Sequence, residues 1–249
     1  MAEDLHTIAI FLNLLSVVVI FTRSGGLQRN PETRYLLGFI ACFTTVILTT
    51  HVVYFSQSSR GYASLFGYTT PFHYLLGPLW LFYVRSVLTK SASLRPVDAI
   101  HFLPAILYGI NMIPYYAMPQ PDKIELMSTL LADVNLMRST NFDWFLPAWF
   151  NMLMRPVLGF LYATFVFGHL IHVRMEEKID STLSQRQWRW LVGFTLIQVL
   201  LFCALSFAMF LFHFDLSLQT NSIDGLYTGP VVVAVFISMI VLSLWPHLH

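Results

Sequence analysis

The chain has 249 residues, of which 56% are hydrophobic and only 11% charged, and its formal net charge is +1. A soluble domain carries about 25% charged residues, so this chain lacks the charge to cover a water-facing surface, and a mean hydropathy of +0.64 places it in a membrane. Without a clustered basic face it also carries no electrostatic footprint for direct binding of nucleic acid.

A helix that crosses a bilayer needs about 20 mostly apolar residues, and seven windows meet that length in chain order. The first, 5–22, follows Glu3 and Asp4 rather than Lys or Arg and lacks a small-residue cleavage signature, so it reads as a retained helix and not a signal peptide. Gly25, Gly26 and Pro31 mark the turn before the second window, 35–56. The third, 71–89, opens on Pro71 and contains Gly77-Pro78, where proline removes a backbone hydrogen bond and permits a kink. Pro96 leads into the fourth, 100–118, as a first-turn proline.

The long connection 119–145 carries Asp122-Lys-Ile-Glu125, an acidic cap followed three residues later by Glu, which resembles a capping box. After it Ile124, Met127, Leu130, Leu131, Val134 and Met137 recur at helical spacing. That pattern predicts an amphipathic surface helix, resting at the headgroups or forming a lid over the bundle. The remaining windows are 146–172, 190–213 and 228–246. The expected fold class is thus an all-α membrane protein, a single seven-transmembrane helix bundle over 1–249.

Basic residues accumulate on cytoplasmic loops. Arg23, Arg29, Arg34, Arg85, Lys90, Arg95, Arg174, Lys178, Arg186 and Arg189 fall on one face, ten of the 14 Lys and Arg, against Arg60, Lys123 and Arg138 on the other. This asymmetry predicts an N-terminus outside and a C-terminus inside, in a multi-pass protein. Cys42 and Cys203 both lie in apolar runs and read as small hydrophobes rather than a disulfide.

Enzyme signatures are missing, and no catalysis, metal or cofactor is expected. No His is followed by Glu, as an H-E-x-x-H zinc site requires. Glu176-Glu177 lacks the Arg four residues on that a prenyl-protease relative would carry, Ser181 standing there instead. His169 and His172 share a helix face without an acidic third ligand and read as interfacial side chains. The seventh window holds no Lys for a retinal Schiff base, and the third lacks a D-R-Y-like end.

The residue with the sharpest implication is Arg155, about eight positions past Pro147 and so on the order of 12 Å along a helix. A guanidinium at that depth costs at least about 2.5 kcal/mol and faces the bundle interior with a partner. It binds an anionic headgroup or pairs with Asp143 or Asp215. Pro156, next to it, frees a backbone carbonyl. His51, His73, Tyr74, Asn111, Asn151 and Trp149 are the other polar or amphipathic groups that can converge on the outer half. Together with Arg155 they define a candidate pocket for an amphiphile bearing a carboxylate or phosphate, its apolar part lying among lipid between helices.

Pro71-Phe-His-Tyr-Leu-Leu-Gly-Pro-Leu-Trp-Leu-Phe-Tyr-Val-Arg-Ser-Val-Leu88, Leu94-Arg-Pro-Val-Asp-Ala-Ile-His-Phe-Leu-Pro104 and Pro114-Tyr-Tyr116 resemble the membrane-embedded N-terminal half of bacterial AraC-type transcriptional regulators. Trp190-Leu191 is similar to the group's opening of the sixth span. The likeness is specific over residues 71–116 and extends in layout to nearly the whole chain. It implies a sensor in the bacterial inner membrane, usually a homodimer, that passes a signal to a cytoplasmic helix-turn-helix domain following the last span. DNA would be a partner only through that domain. Within this pattern Arg85 is expected to snorkel to the inner headgroups, and the stop at Leu244-Trp-Pro-His-Leu-His249 reads as the sensor half of a longer signalling protein. Ala204-x-x-x-Ala208 is a weak small-residue seam for the dimer. A small transporter or channel is the alternative, although spans one to three and five to seven show no internal repeat.

Overall fold

The computed structural model describes residues 2–23, 31–54, 58–133, 136, 140, 142–175 and 183–214. Every regular element among them is helical: α1 (Ala2–Arg23), α2 (Thr33–Tyr54), α3 (Ser59–Leu65), α4 (Pro71–Thr89), a 3-10 segment (Pro96–Phe102), α5 (Leu103–Asn111), α6 (Ile113–Ala117), α7 (Gln120–Ala132), α8 (Ala148–Met175) and α9 (Gln185–His213). Three helical stretches are long and apolar enough to cross a membrane, Thr33–Val52 in α2, α8 and α9. α1 contributes the shorter apolar run Thr7–Ile20. In α4 the two prolines, His73 and Arg85 dilute the apolar character of a 19-residue helix. The expected seventh window, 228–246, lies outside the described residues.

The fourth window is not one helix. Proline cannot donate to the carbonyl four residues back and its ring crowds that carbonyl, so Pro104 and Pro114 each sit in the first turn of a new helix, and the segment divides into the 3-10 piece, α5 and α6. Pro78 and Pro156, by contrast, are carried inside unbroken helices. α7 covers the first part of the expected amphipathic helix, Val134 and Met137 lying outside the described residues, and it starts at Gln120 behind Pro119, so Asp122 lies in its first turn rather than at its cap. There its charge faces the positive end of the helix dipole.

Two apolar clusters organise the molecule. In the main bundle α2, α4, α8 and α9 share a core centred on Trp80, which lies 4.6 Å from Phe194 and 5.7 Å from Phe39 between ring centroids, and α1 packs against α2. Its indole N–H donates to the Thr195 hydroxyl at 3.1 Å, so the polar edge is satisfied in the apolar interior. The second cluster joins α3, α5, α6, α7 and Phe142 into a cap over one end of the bundle. Met127 and Leu130 are fully buried, so the apolar face of α7 turns to the protein's own α3 and α6. Lys123 is buried with it. Its ammonium donates to the Tyr116 carbonyl at 3.0 Å and the Tyr68 hydroxyl at 3.3 Å, and stands over the Tyr115 and Tyr68 rings.

The opposite end is tied by charge. Arg85, expected at the headgroups, is paired within the protein: both its terminal nitrogens donate to Asp98 at 2.7 Å, and Asp98 also accepts from the Arg95 backbone N–H. The guanidinium holds the Asp98 carboxyl at about 2, against the opposing effect of burial. A carboxyl depressed in the folded state stabilises it above the ordinary Asp range, and that contribution is lost as pH falls toward 2. Arg34 and the Tyr35 hydroxyl both donate to the Ala92 carbonyl, closing the same turn.

Helices approach most closely at two glycines. A Cβ at Gly77 would lie 2.5–2.7 Å from the Tyr162 side chain, and one at Gly159 2.6–2.9 Å from the Phe202 ring. Tyr162 cannot swing aside freely, because its hydroxyl bonds His101 Nδ1 at 2.7 Å. Overpacking of this kind costs about 1–3 kcal/mol. Gly77→Ala is therefore expected to lower the melting temperature of the detergent-solubilised protein, whereas Gly109→Ala, where a Cβ inside α5 meets nothing within 4 Å, does not lower it.

Candidate functional site

A cavity of about 130 Å³ lies where the cap meets the bundle. α2 contributes Thr49 and Thr50, α4 contributes His73, α5 contributes Tyr108, and α8 contributes Asn151 and Arg155; Tyr62, Phe66 and Phe142 supply aromatic wall and Asp143 a carboxylate. Helical register explains the α8 set. Asn151, Met152 and Arg155 follow at i, i+1 and i+4, the spacing that puts residues on one face. Arg155 stands about two turns, on the order of 10 Å, into α8. Pro156 supplies no N–H to the Met152 carbonyl, so a backbone acceptor is also released beside the cavity.

The guanidinium is only partly committed. One terminal nitrogen of Arg155 reaches the Tyr108 hydroxyl at 3.5 Å, and its carbon lies 5.4 Å from the Tyr108 ring centroid. Its Nε is buried and has no hydrogen-bond partner among the described residues. Asp143 is in the same condition: Oδ1 accepts from Asn111 Nδ2 at 3.1 Å, while Oδ2 is buried and unpartnered among the described residues. No ion pair within 4 Å joins the two among the described residues, the Arg85–Asp98 pair having that distinction elsewhere. Burial pushes the Asp143 carboxyl up to about 6, and the Arg155 charge opposes the rise only in part. His73 Nδ1, beside the Thr69 and Thr70 backbone, is a third buried atom without a well-formed hydrogen bond among the described residues.

Of the residues expected from sequence, Arg155, Asn151 and His73 come together on the cavity. Tyr74 stands one step behind, its hydroxyl donating to the Asn151 carbonyl at 3.3 Å. Asn111 is structural: its side chain holds the 143–146 turn and has nothing left for a ligand. Trp149 faces α9, stacked on His213 with centroids 4.5 Å apart, and His51, next to Thr50, is not among the lining residues. Asp215, the other acid considered for Arg155, and Glu176-Glu177 lie outside the described residues. Cys42 and Cys203 are free, and no group of three potential metal ligands occurs among the described residues.

Sequence reasoning treated Asp143 only as a charge partner and missed Thr49, Thr50, Tyr108 and Phe142 as cavity wall. Comparisons with protein families, with curated proteins and with solved structures find no match to this chain.

Folding raises the Asp143 carboxyl, so its ionisation opposes folding in full above about pH 6, by less as pH falls from 6 toward the ordinary Asp range near 4, and hardly at all below that. Asp143→Asn keeps an acceptor for Asn111 and removes the charge. It is expected to raise the melting temperature at pH 7.5 and to match the parent at pH 4; equal melting temperatures at both values would contradict this account.

Proposed function

We propose that this chain is the sensory membrane module of a signalling protein, and that the Arg155 cavity receives its ligand. The observation that carries the reading is a cavity at one end of the bundle holding buried, unsatisfied groups of both charges. Burying such groups unpaired is costly, and a site that retains them is organised for something that completes them. Below the cavity the bundle is filled by Trp80, Phe39, Trp190 and Phe194. A site at one end of the bundle with a packed core beneath it suits detection rather than passage.

In this reading seven segments cross the bacterial inner membrane, the fourth of them as the broken stretch of the 3-10 piece, α5 and α6, with the N-terminus and the cap outside and the C-terminus in the cytoplasm. The charge distribution supports it: Arg34, Arg85, Lys90, Arg95, Arg174, Arg186 and Arg189 occupy loops and helix ends at the pole opposite the cap. The ligand is anionic at least in part, with any apolar tail left among lipid, because a cavity near 130 Å³ has room for a headgroup and not for a chain. The resemblance over residues 71–116 supports a cytoplasmic AraC-type helix-turn-helix domain as the receiver, and a homodimer as the acting unit.

Two measurements test this. In a Cys203→Ser background, Ser128→Cys on α7 is expected to react with a membrane-impermeant maleimide in intact cells, and Ser91→Cys only after permeabilisation, both positions being exposed; the reverse pattern overturns the orientation. In sealed proteoliposomes, radiolabelled phosphate and glycine are expected not to accumulate. Protein-dependent accumulation against a gradient would make the chain a transporter.

A further inference from the structure

We propose that the cavity is built for a small zwitterion, which sets an anionic group on Arg155 and a protonated amine on Asp143. The inference rests on the reading of this cavity as the ligand site and deepens it.

Polar capacity in the cavity leads to this conclusion. Asn111 is fully used, and Asp143 Oδ1 is taken by it. What remains buried and open among the charged groups described is Arg155 Nε, which can only donate, and Asp143 Oδ2, which as a carboxylate can only accept, while His73 Nδ1 lies against the Thr69 and Thr70 backbone. The two are too far apart to satisfy each other directly, since no pair within 4 Å forms. A simple anion would complete the guanidinium and place like charge before the carboxylate. A simple cation would do the converse. A molecule carrying both completes both.

The walls agree with the cationic half. The Thr49 and Thr50 hydroxyls donate to their own helix, to the Thr45 and Val46 carbonyls at 2.8 and 2.9 Å. They therefore present lone pairs, not protons, to the cavity. Tyr62, Phe66 and Phe142 make the rest of this wall aromatic, a residue type that attracts ammonium groups. The volume, close to the roughly 150 Å³ of an engineered cavity that admits benzene, limits the occupant to a compact group. An amino-acid-like metabolite and the ethanolamine phosphate head of a lipid share this chemistry.

The charged and titratable groups around Asp143 are Arg155 from α8, His73 and Tyr74 from α4, Tyr108 from α5 and Tyr62 from α3. With the carboxyl held near 6, a fall in pH through that value removes the charge that attracts the amine and leaves Arg155 uncompensated. Zwitterion binding weakens below pH 6 while binding of a plain anion strengthens.

The test is calorimetric titration of the purified protein at pH 7.5 with glycine, O-phosphoethanolamine, ethanolamine and inorganic phosphate, and in nanodiscs containing either phosphatidylethanolamine or phosphatidylglycerol. One of the zwitterions is expected to bind at least about tenfold tighter than phosphate or ethanolamine, the scale of one hydrogen bond to a charged group. Asp143→Asn is expected to weaken it on the order of tenfold while leaving phosphate unchanged or tighter. Arg155→Lys, which keeps the charge and loses Nε, is expected to weaken both, with a melting curve to verify folding. Stabilisation by phosphatidylethanolamine nanodiscs alone, lost in Asp143→Asn, assigns the zwitterion to lipid and supports the proposal. Phosphate binding as tightly as either zwitterion, with no response to Asp143→Asn, overturns the zwitterion and leaves an anion site standing. Absence of binding by every probe and both lipids, with a cavity that holds only water, overturns the inference and the ligand site together.

Discussion

One carboxamide sets the geometry of the cavity. Asn111 is fully buried at the end of α5, where Pro114 prevents the helix from continuing. Its Nδ2 donates to the Asp143 carboxylate at 3.1 Å and the Leu146 carbonyl at 2.9 Å, and its Oδ1 accepts the Phe145 and Leu146 N–H groups at 2.9 and 2.8 Å. Its own carbonyl accepts from Trp144 N–H. Two donors and two lone pairs are the whole capacity of an amide side chain. Aspartate would lack the donors and glutamine would place them a methylene too far. The turn so held ends at Pro147 and launches α8, and thereby fixes how far along that helix Arg155 meets the cavity. The same amide keeps Asp143 turned inward despite the cost of burying its charge.

The two poles of the bundle treat charge in opposite ways. At the pole with the Arg85–Asp98 pair, the Asp98 carboxylate is matched on both oxygens and the neighbouring turn is tied through Arg34, Tyr35 and Ala92. In the cap, Lys123 is enclosed by Tyr68, Tyr115 and the Tyr116 carbonyl. These are finished interactions, and they make rigid joints. Between them Arg155 and Asp143 retain buried atoms that nothing described completes. A fold able to satisfy Asn111 and Lys123 so fully within a few residues of the cavity has the means to pair Arg155 with Asp143. Leaving them apart lowers stability, which is a recurrent property of sites that bind.

Much of this was legible in the sequence, and the reasons for the rest are physical. Arg155, His73 and Asn151 could be found because a polar residue in an apolar helix must face something other than lipid. The amphipathic pattern of α7 gave its buried face, although periodicity does not distinguish a protein partner from a headgroup layer. Pro104 and Pro114 already signalled that the fourth window breaks, but hydropathy averaged over a span conceals such punctuation. Arg85 resembled a snorkelling cation because Asp98, its partner, lies beyond a turn whose closure is tertiary. Asp143 was hardest to place. Nothing local says that a loop acid folds back to an asparagine 32 positions earlier, and only that contact makes Asn111 a scaffold and Asp143 a cavity residue.

A sensory role needs the occupied cavity to be felt at the far pole, and the contacts between them are short and stiff. Arg155 rides on α8, whose Gly159 lies against Phe202 of α9 and whose Tyr162 fills the notch at Gly77 of α4. Tyr162 in turn bonds His101, in the 3-10 segment that also carries Asp98 and hence the clamp on Arg85. Close-packed interfaces of this kind do not deform continuously; they shift between discrete packings. Pro156, which leaves the Met152 carbonyl without its helical donor, makes α8 easiest to bend directly beside Arg155. A ligand drawn between Arg155 and Asp143 would pull α8 toward the turn held by Asn111. Under the proposed role such a displacement would act on Tyr162 at the glycine contact, where a Cβ at Gly77 would have only 2.5–2.7 Å.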